Sequence, residues 1–269
     1  KGNVSYKLNA NQLAYATISQ GYRRGGSNAI PTSGTFAENP GFLRFGSDSV
    51  TNYEIGIKGT GSRFRYGAAL FVVDWEDVQI NTSTPIWGFF AAVNGGKASS
   101  KGIEFELDGR ITERLGVNFG YTYVDAKLDE DALSPTGFVL GSAGNRLPGT
   151  PEHTVMAGLA YTAPAGASLS WTTRVNGYYQ SSTQNAISNS PTFNVQLGGF
   201  QLWNFSTTLS ADNWDATFWA KNLLNEAGVT GLFTEAYMGT EPSQGYFGNG
   251  SKEFISLPRT FGVTLAWRF

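Results

Sequence analysis

The last nine residues of the chain, Phe261 to Phe269, alternate strictly between large apolar side chains and small or polar ones. Successive side chains of a β-strand point to opposite faces, so this segment predicts a strand with one apolar face and one polar face. The large apolar side chains occupy every odd position, namely Phe261, Val263, Leu265, Trp267 and Phe269. Such a strand ending on an aromatic residue is typical of the closing strand of an outer-membrane β-barrel, where lipid-facing and lumen-facing residues alternate.

The same alternation recurs along the chain and is clearest at residues 102–111. Ile103, Phe105 and Leu107 alternate there with Glu104, Glu106, Asp108 and Arg110. Further stripes begin near residues 53, 117, 155, 169, 203 and 214, whereas the phase is ambiguous near 12–22 and 64–81. The pattern predicts about ten full strands of roughly 10–14 residues plus a partial one at the start. A strand tilted by about 45° needs about 9–11 residues to cross a bilayer.

The connections between these predicted strands alternate between short and long. The short ones lie near residues 9–11, 61–63, 112–114, 164–167 and 212–213. The long ones cover about 23–48, 82–100, 127–152, 184–199 and 227–257. Outer-membrane barrels have short periplasmic turns and long extracellular loops. The sequence therefore predicts an all-β fold, an antiparallel transmembrane β-barrel, with Phe269 at the periplasmic side.

Composition excludes several classes of function. The formal net charge is −2, which gives no indication of a nucleic-acid partner. The chain has no cysteine and one histidine, His153, so neither a disulfide framework nor a thiolate or histidine-cluster metal site is expected. Glu104, Glu106 and Asp108 form a row without a nucleophile pattern and are interpreted as lumen-facing charges. No catalytic residue, cofactor or metal is predicted, and the chain is not expected to be an enzyme.

Six phrases in order along the chain carry a family resemblance. They are Tyr22 to Asn28, Asn52 to Gly59, Asn94 to Glu104, Arg146 to His153, Lys221 to Glu226 and Pro258 to Phe269. Through them the chain resembles the carboxy-terminal half of the barrel of a TonB-dependent outer-membrane receptor. The resemblance implies that residues 1–269 form one incomplete domain, about 10–11 strands of an expected 22-stranded barrel. The resemblance also implies an amino-terminal plug domain with an energy-coupling box, and we expect neither of them within residues 1–269.

The resemblance implies a transporter in the outer membrane of a Gram-negative bacterium that imports a scarce, bulky ligand. An iron-siderophore is the first expectation, with cobalamin or a glycan as other ligands. The implied partners are outer-membrane lipid and lipopolysaccharide, the TonB complex through the missing plug, and the barrel-assembly machinery. The family's terminal phenylalanine is read by that machinery, which implies an assembly signal at Phe261, Val263, Leu265, Trp267 and Phe269. The alternatives are a passive porin or a structural barrel without energy coupling, and a soluble β-sheet binding module.

Aromatic and cationic residues in the long loops are the candidate ligand-binding residues. Exposed rings near cations suit a bulky ligand that is partly aromatic or anionic. These candidates are Arg23, Arg24, Trp87, Phe89, Phe90, Phe233, Tyr237, Tyr246 and Phe247.

Aromatic residues at strand ends form a second group. We expect most of them at the membrane interfaces and some in the lumen. They are Tyr15, Tyr66, Trp75, Tyr121, Tyr123, Trp171, Tyr179, Trp203, Trp214 and Trp267.

Overall fold

The computed structural model describes residues 1–86, 88–189, 194–233 and 252–269. Its main element is an eleven-stranded antiparallel sheet in which each strand pairs with the next sheet strand along the chain. The strands are β1 (Gly2–Asn9), β2 (Gln12–Arg23), β3 (Asp48–Thr60), β4 (Phe64–Glu76), β5 (Ala98–Arg110), β6 (Leu115–Leu128), β7 (His153–Pro164), β8 (Ser170–Gln180), β9 (Phe200–Ser210), β10 (Trp214–Lys221) and β11 (Thr260–Trp267). The predicted all-β antiparallel fold and the predicted number of strands are confirmed.

Strand pairing divides the side chains of the sheet between two faces. Residues directly opposite each other in an antiparallel pair point to the same face. Phe105 of β5 pairs with Tyr121 of β6, whereas the adjacent Glu104 pairs with Thr122. Extending the register across the sheet puts the predicted apolar stripes of β3 and of β5 to β11 on one face, here called the apolar face. The opposite surface, with Glu104, is called the polar face.

The sequence pattern does not show which side chains of β2 and β4 lie on which face, and pairing with the neighbouring strands decides it. Tyr15 of β2 pairs with Gly56, and Trp75 of β4 pairs with Ala98, which puts both aromatic rings on the polar face. Gly56 has no side chain, so the Tyr15 ring lies directly over it, and the hydroxyl donates a 2.7 Å hydrogen bond to Glu54. The other eight aromatic residues predicted at strand ends lie on the apolar face. They are Tyr66, Tyr121, Tyr123, Trp171, Tyr179, Trp203, Trp214 and Trp267.

Each of the five long connections contains a small two-stranded ribbon. The ribbons pair Gly26–Ser27 with Arg44–Phe45, Gln79–Ser83 with Phe90–Asn94, Ala132–Leu133 with Val139–Gly141, Thr183–Gln184 with Gln196–Leu197, and Val229–Phe233 with Lys252–Ile255. The first connection also carries a 3₁₀ helix, Pro40–Phe42. Among the described residues, no helix combines the length and the apolar character needed to cross a membrane.

The conventional hydrophobic core lies among the long connections. Its buried side chains are Ile30, Phe42, Val78, Ile80, Ala91, Val93, Ala98, Leu128 and Ala132, and most of them belong to the first three long connections rather than to the sheet. The large side chains of the apolar face are half-buried or exposed, and Val263 and Leu265 on the edge strand β11 are among the most exposed. Among the described residues, the sheet therefore keeps one apolar surface without a covering layer, while the first four long connections pack on one another. We call this packed unit the loop cap.

Candidate functional site

The base of the loop cap is an ion pair between the ends of β2 and β3. Nε of Arg23 donates to both carboxylate oxygens of Asp48, at 3.1 and 3.0 Å, and the guanidinium stacks on the Trp75 ring at 4.9 Å. Nε1 of Trp75 and the backbone nitrogen of Gln79 also donate to Asp48, at 2.9 and 3.3 Å. The side chain of Asp48 is only 2% exposed, so its charge is compensated by these donors. The predicted ligand-binding residue Arg23 is thus part of a structural junction.

Two polar side chains, the half-buried Asn28 and the buried Glu38, tie the first long connection to the second. The Asn28 amide donates to the carbonyl oxygens of Phe42 and Ala92, at 2.7 and 2.8 Å, and accepts from the nitrogen of Ala92 at 2.9 Å. The buried Glu38 carboxylate accepts from the Thr84 hydroxyl at 2.7 Å and from the backbone nitrogen of Ile86 at 3.3 Å. Because paired polar groups are costly to separate once buried, these contacts hold the two connections as one unit.

The glycine phrases of these connections are positions of close packing. A Cβ on Gly25 would lie 2.4 Å from the carbonyl oxygen of Phe45, and one on Gly95 would lie 2.4 Å from Cδ1 of Ile80. Gly96 adopts a φ of 68°, which L residues with side chains rarely adopt. The glycines therefore allow close contact between backbone segments in the loop cap.

A groove with a volume of about 480 Å³ opens between the first four long connections. Ligand pockets typically span about 300–1,000 Å³ and combine apolar walls with a few polar groups. We call it the outer groove. Its apolar walls include Phe42, Ile80, Phe90, Phe138, Leu140 and Ile187. Hydroxyl and amide groups line the remainder, including those of Asn81, Thr82, Ser134, Thr136, Ser188 and Asn189.

The predicted ligand-binding residues that the structure describes do not lie together in one site. Phe90 is 63% exposed and lines the outer groove, whereas Phe89 is half-buried against the core of the loop cap. Arg24 is exposed but does not line the groove. Phe233 ends the strand Val229–Phe233. Trp87, Tyr237, Tyr246 and Phe247 lie outside the described residues, so all four stay predictions.

The groove residue that sequence reasoning missed most clearly is Phe138. It is 72% exposed, and the hydroxyl of Ser134 accepts from the backbone nitrogens of Thr136 and Phe138 at 3.3 and 3.0 Å. Gly137 completes this turn with a φ of 81°. The sequence did contain a signal for Phe138: a large aromatic residue directly follows a Ser-Pro-Thr-Gly turn, and such turns normally carry polar side chains.

A second cavity lies toward the short-turn end of the sheet, between β1 and β7, and has a volume of about 740 Å³. Its lining includes the charged residues Lys7, Lys58, Arg65, Glu106 and Asp108. Of these, Arg65 and Asp108 approach to 3.5 Å, with both side chains more than half exposed. The row of acids predicted to face the lumen therefore lies on a wide, mixed-charge polar surface.

The acidic residues at the end of β6 and just after it are held by separate partners. Asp125 pairs with Lys127 at 3.0 Å, Asp129 accepts from the hydroxyl of Ser99 at 2.8 Å, and Asp131 accepts from the nitrogen of Ala143 at 2.8 Å. Within the described ranges, no group of three or more His, Cys, Asp or Glu side chains converges in a way that could hold a metal ion.

The predicted assembly signal lies at the free edge of the sheet. Phe261, Val263, Leu265 and Trp267 belong to β11, and their partners in β10 are Ala220, Phe218, Ala216 and Trp214 on the apolar face. Phe269 follows the strand and is fully exposed. Recognition of these residues by the assembly machinery stays a prediction.

Comparison with known proteins agrees with this architecture. The sequence profile described as "TonB dependent receptor-like, beta-barrel" matches residues 1–223. The pesticin receptor of Yersinia enterocolitica is 26% identical over 151 residues, which cover 56% of this chain and 20% of that protein. The ferric-pyoverdine M114 receptor PbuA of Pseudomonas sp. strain M114 is 24% identical over 286 residues, covering 97% of this chain and 28% of the receptor.

Among solved structures, the ferric yersiniabactin uptake receptor FyuA of Yersinia pestis superposes with a TM-score of 0.77 at 19% identity. The match covers 99% of this chain and 36% of FyuA. The chain thus spans about a third or less of the length of these relatives. The likeness to FyuA shows a shared fold, while the profile match covers most of the chain. The chain belongs to the TonB-dependent receptor family and forms a segment of its β-barrel domain.

Proposed function

We propose that this chain forms part of an energy-coupled outer-membrane receptor that imports a ferric siderophore. The outer groove is the observation that carries the proposal, because it provides an exposed aromatic site at the long-loop end of the sheet. Two relatives support the ligand class by their names, the ferric-pyoverdine receptor and the ferric yersiniabactin uptake receptor. In this proposal the loop cap binds the ligand. The sheet forms part of the barrel wall and of the path for the ligand, and it catalyses no reaction.

The two faces of the sheet support a place in the outer membrane of a Gram-negative bacterium. The apolar face would contact lipid, with lipopolysaccharide in the outer leaflet, because no apolar layer from the described part of the chain covers its side chains. The mixed charges of the polar face suit a water-filled lumen and the surface of a plug domain elsewhere in the polypeptide. That plug would receive work from the TonB complex, and the barrel-assembly machinery would recognise the terminal strand.

Loss of energy coupling is the test that separates this proposal from a passive porin or a structural barrel. The full-length receptor containing this chain is expressed in a strain without its own ferric-siderophore receptors, with TonB present or deleted. We expect uptake of radioactive ferric siderophore only with TonB, and binding at the cell surface in both strains. Uptake that persists without TonB would support the porin, and the lack of both binding and uptake would contradict the receptor.

The fifth long connection remains a separate candidate for ligand contact, through Phe233, Tyr237, Tyr246 and Phe247. Removing residues 232–247 from the full-length receptor should leave the protein in the outer membrane but weaken binding. Immunodetection of folded receptor checks assembly, and surface binding of the ferric siderophore checks the loop. Unchanged binding would remove this segment from the ligand site and leave the outer groove as the candidate.

A further inference from the structure

The outer groove is uncharged along every part of its lining that the structure describes. Its walls are aromatic and aliphatic side chains, interrupted by serine and threonine hydroxyls and asparagine amides. Hydroxyls and amides both donate and accept hydrogen bonds, whereas the hydrocarbon walls bury apolar ligand surface at about 25 cal/mol per Å². The lining is therefore suited to ligand surface that is partly apolar and partly polar but carries no net charge.

Several charged residues in the surrounding connections are engaged with other protein groups. Arg23 pairs with Asp48 below the loop cap, and the carboxylate of Glu38 is buried against Thr84 and Ile86. Lys97 approaches Glu130 at 3.8 Å, and Arg146 approaches Glu152 at 3.7 Å. None of these side chains lines the groove. An anionic ligand entering it would lose hydration without meeting a compensating cation, which is costly.

We propose that the outer groove selects a ferric complex of zero net charge with exposed hydrocarbon surface, and disfavours polyanionic complexes. This inference rests on the proposed uptake of ferric siderophores and specifies the chemical class. The sequence left open a ligand that is partly aromatic or anionic, and the groove lining favours the uncharged class, because Arg23 is paired with Asp48 and Arg24 does not line the groove.

The test compares two probes on the purified full-length receptor. One is an uncharged ferric tris(hydroxamate) with hydrocarbon linkers, and the other is a trianionic ferric tris(catecholate). Quenching of intrinsic tryptophan fluorescence gives Kd for each probe at low and high salt. We expect the uncharged complex to bind at least about tenfold more tightly, with a Kd that salt does not change because no ion pair is screened.

Two variants that each introduce one positive charge test whether the selection by ligand charge arises in the outer groove. Thr136 lines the outer groove, whereas Thr32 is an exposed threonine in the first connection that does not. We expect Thr136→Lys to tighten binding of the trianionic complex by about tenfold and Thr32→Lys to leave it unchanged. Folding of both variants is checked by their heat-modifiable mobility in electrophoresis.

The outcomes distinguish this inference from the function on which it rests. Tighter binding of the trianionic complex to the unaltered receptor would overturn charge selection but leave siderophore uptake standing. An equal gain in both lysine variants would overturn the assignment to the groove, because it would reflect general attraction at the surface. If neither complex binds and neither is transported, the proposed function fails and this inference fails with it.

Discussion

The indole nitrogen of Trp75 donates a 2.9 Å hydrogen bond to the Asp48 carboxylate that also pairs with Arg23. The three residues come from β4, β3 and β2, so one buried carboxylate joins the ends of three adjacent strands. Gln79 adds a backbone donor from the second long connection. The junction thereby links the rim of the sheet to the loop cap.

Removing this carboxylate should destabilise the receptor. Asp48→Ala leaves the donors of Arg23, Trp75 and Gln79 without their acceptor, and we expect a loss of about 1–3 kcal/mol in the free energy of unfolding. The measurement is denaturant unfolding of the full-length receptor in detergent. Asp108→Ala is the matched control, because its pair with Arg65 is largely exposed and contributes about 0–1 kcal/mol. Equal losses in both variants would contradict the role of the junction.

A charge on the apolar face should impair membrane assembly. Phe105 lies near the middle of β5, and Phe105→Arg is expected to cost about 2–4 kcal/mol if the residue faces the bilayer midplane. The yield of folded receptor in outer-membrane fractions measures the effect. Thr122→Arg is the control, because Thr122 pairs with Glu104 on the polar face. Normal assembly of Phe105→Arg would refute the lipid-facing assignment.

Asn222 should be more sensitive to substitution than its place after β10 suggests. Its side chain donates to the carbonyl oxygens of Glu226 and Leu257, both at 2.8 Å, and accepts from the nitrogen of Glu226 at 2.9 Å. Its φ is 49°, in the left-handed region where alanine costs about 1–2 kcal/mol. We therefore expect both Asn222→Ala and Asn222→Gly to destabilise the receptor.

Comparing the two variants separates the contribution of the backbone conformation to stability from that of the side-chain hydrogen bonds. Glycine adopts the left-handed conformation without the steric cost, so Asn222→Gly should lose less stability than Asn222→Ala. Denaturant unfolding in detergent gives the difference. Equal stability of the two variants would show that backbone conformation contributes little at this position.

Phe138 should contribute to ligand affinity but not to folding. Because the side chain is 72% exposed, Phe138→Ala removes little buried surface from the free receptor. Loss of its ring from the outer groove is expected to raise Kd for the uncharged ferric tris(hydroxamate) by about tenfold, or about 1.4 kcal/mol. Leu133→Ala, in the same long connection but outside the lining, is the control. A wild-type Kd for Phe138→Ala would exclude its ring from the binding surface.

The sequence by itself determined which residues of β5 and β11 share a face. Alternation is a local property of an extended chain, so Phe105 and Glu104 separate without any knowledge of their neighbours. The same reasoning located the short and long connections, because their polar and glycine-rich segments interrupt the stripes. The family resemblance could also be found from the sequence, because each matching phrase is a continuous stretch of residues.

The tertiary structure decided the faces of the ambiguous strands and the contacts between residues that are distant in sequence. Tyr15 and Trp75 lie in strands of ambiguous phase, and only pairing with β3 and β5 placed them on the polar face. Arg23 is paired with Asp48, which is distant in sequence, and no local pattern indicates that pair. Phe138 and Ile187 line the same outer groove although they come from different long connections. Such contacts depend on which chain segments the sheet brings together, and no periodicity within a single segment encodes that proximity.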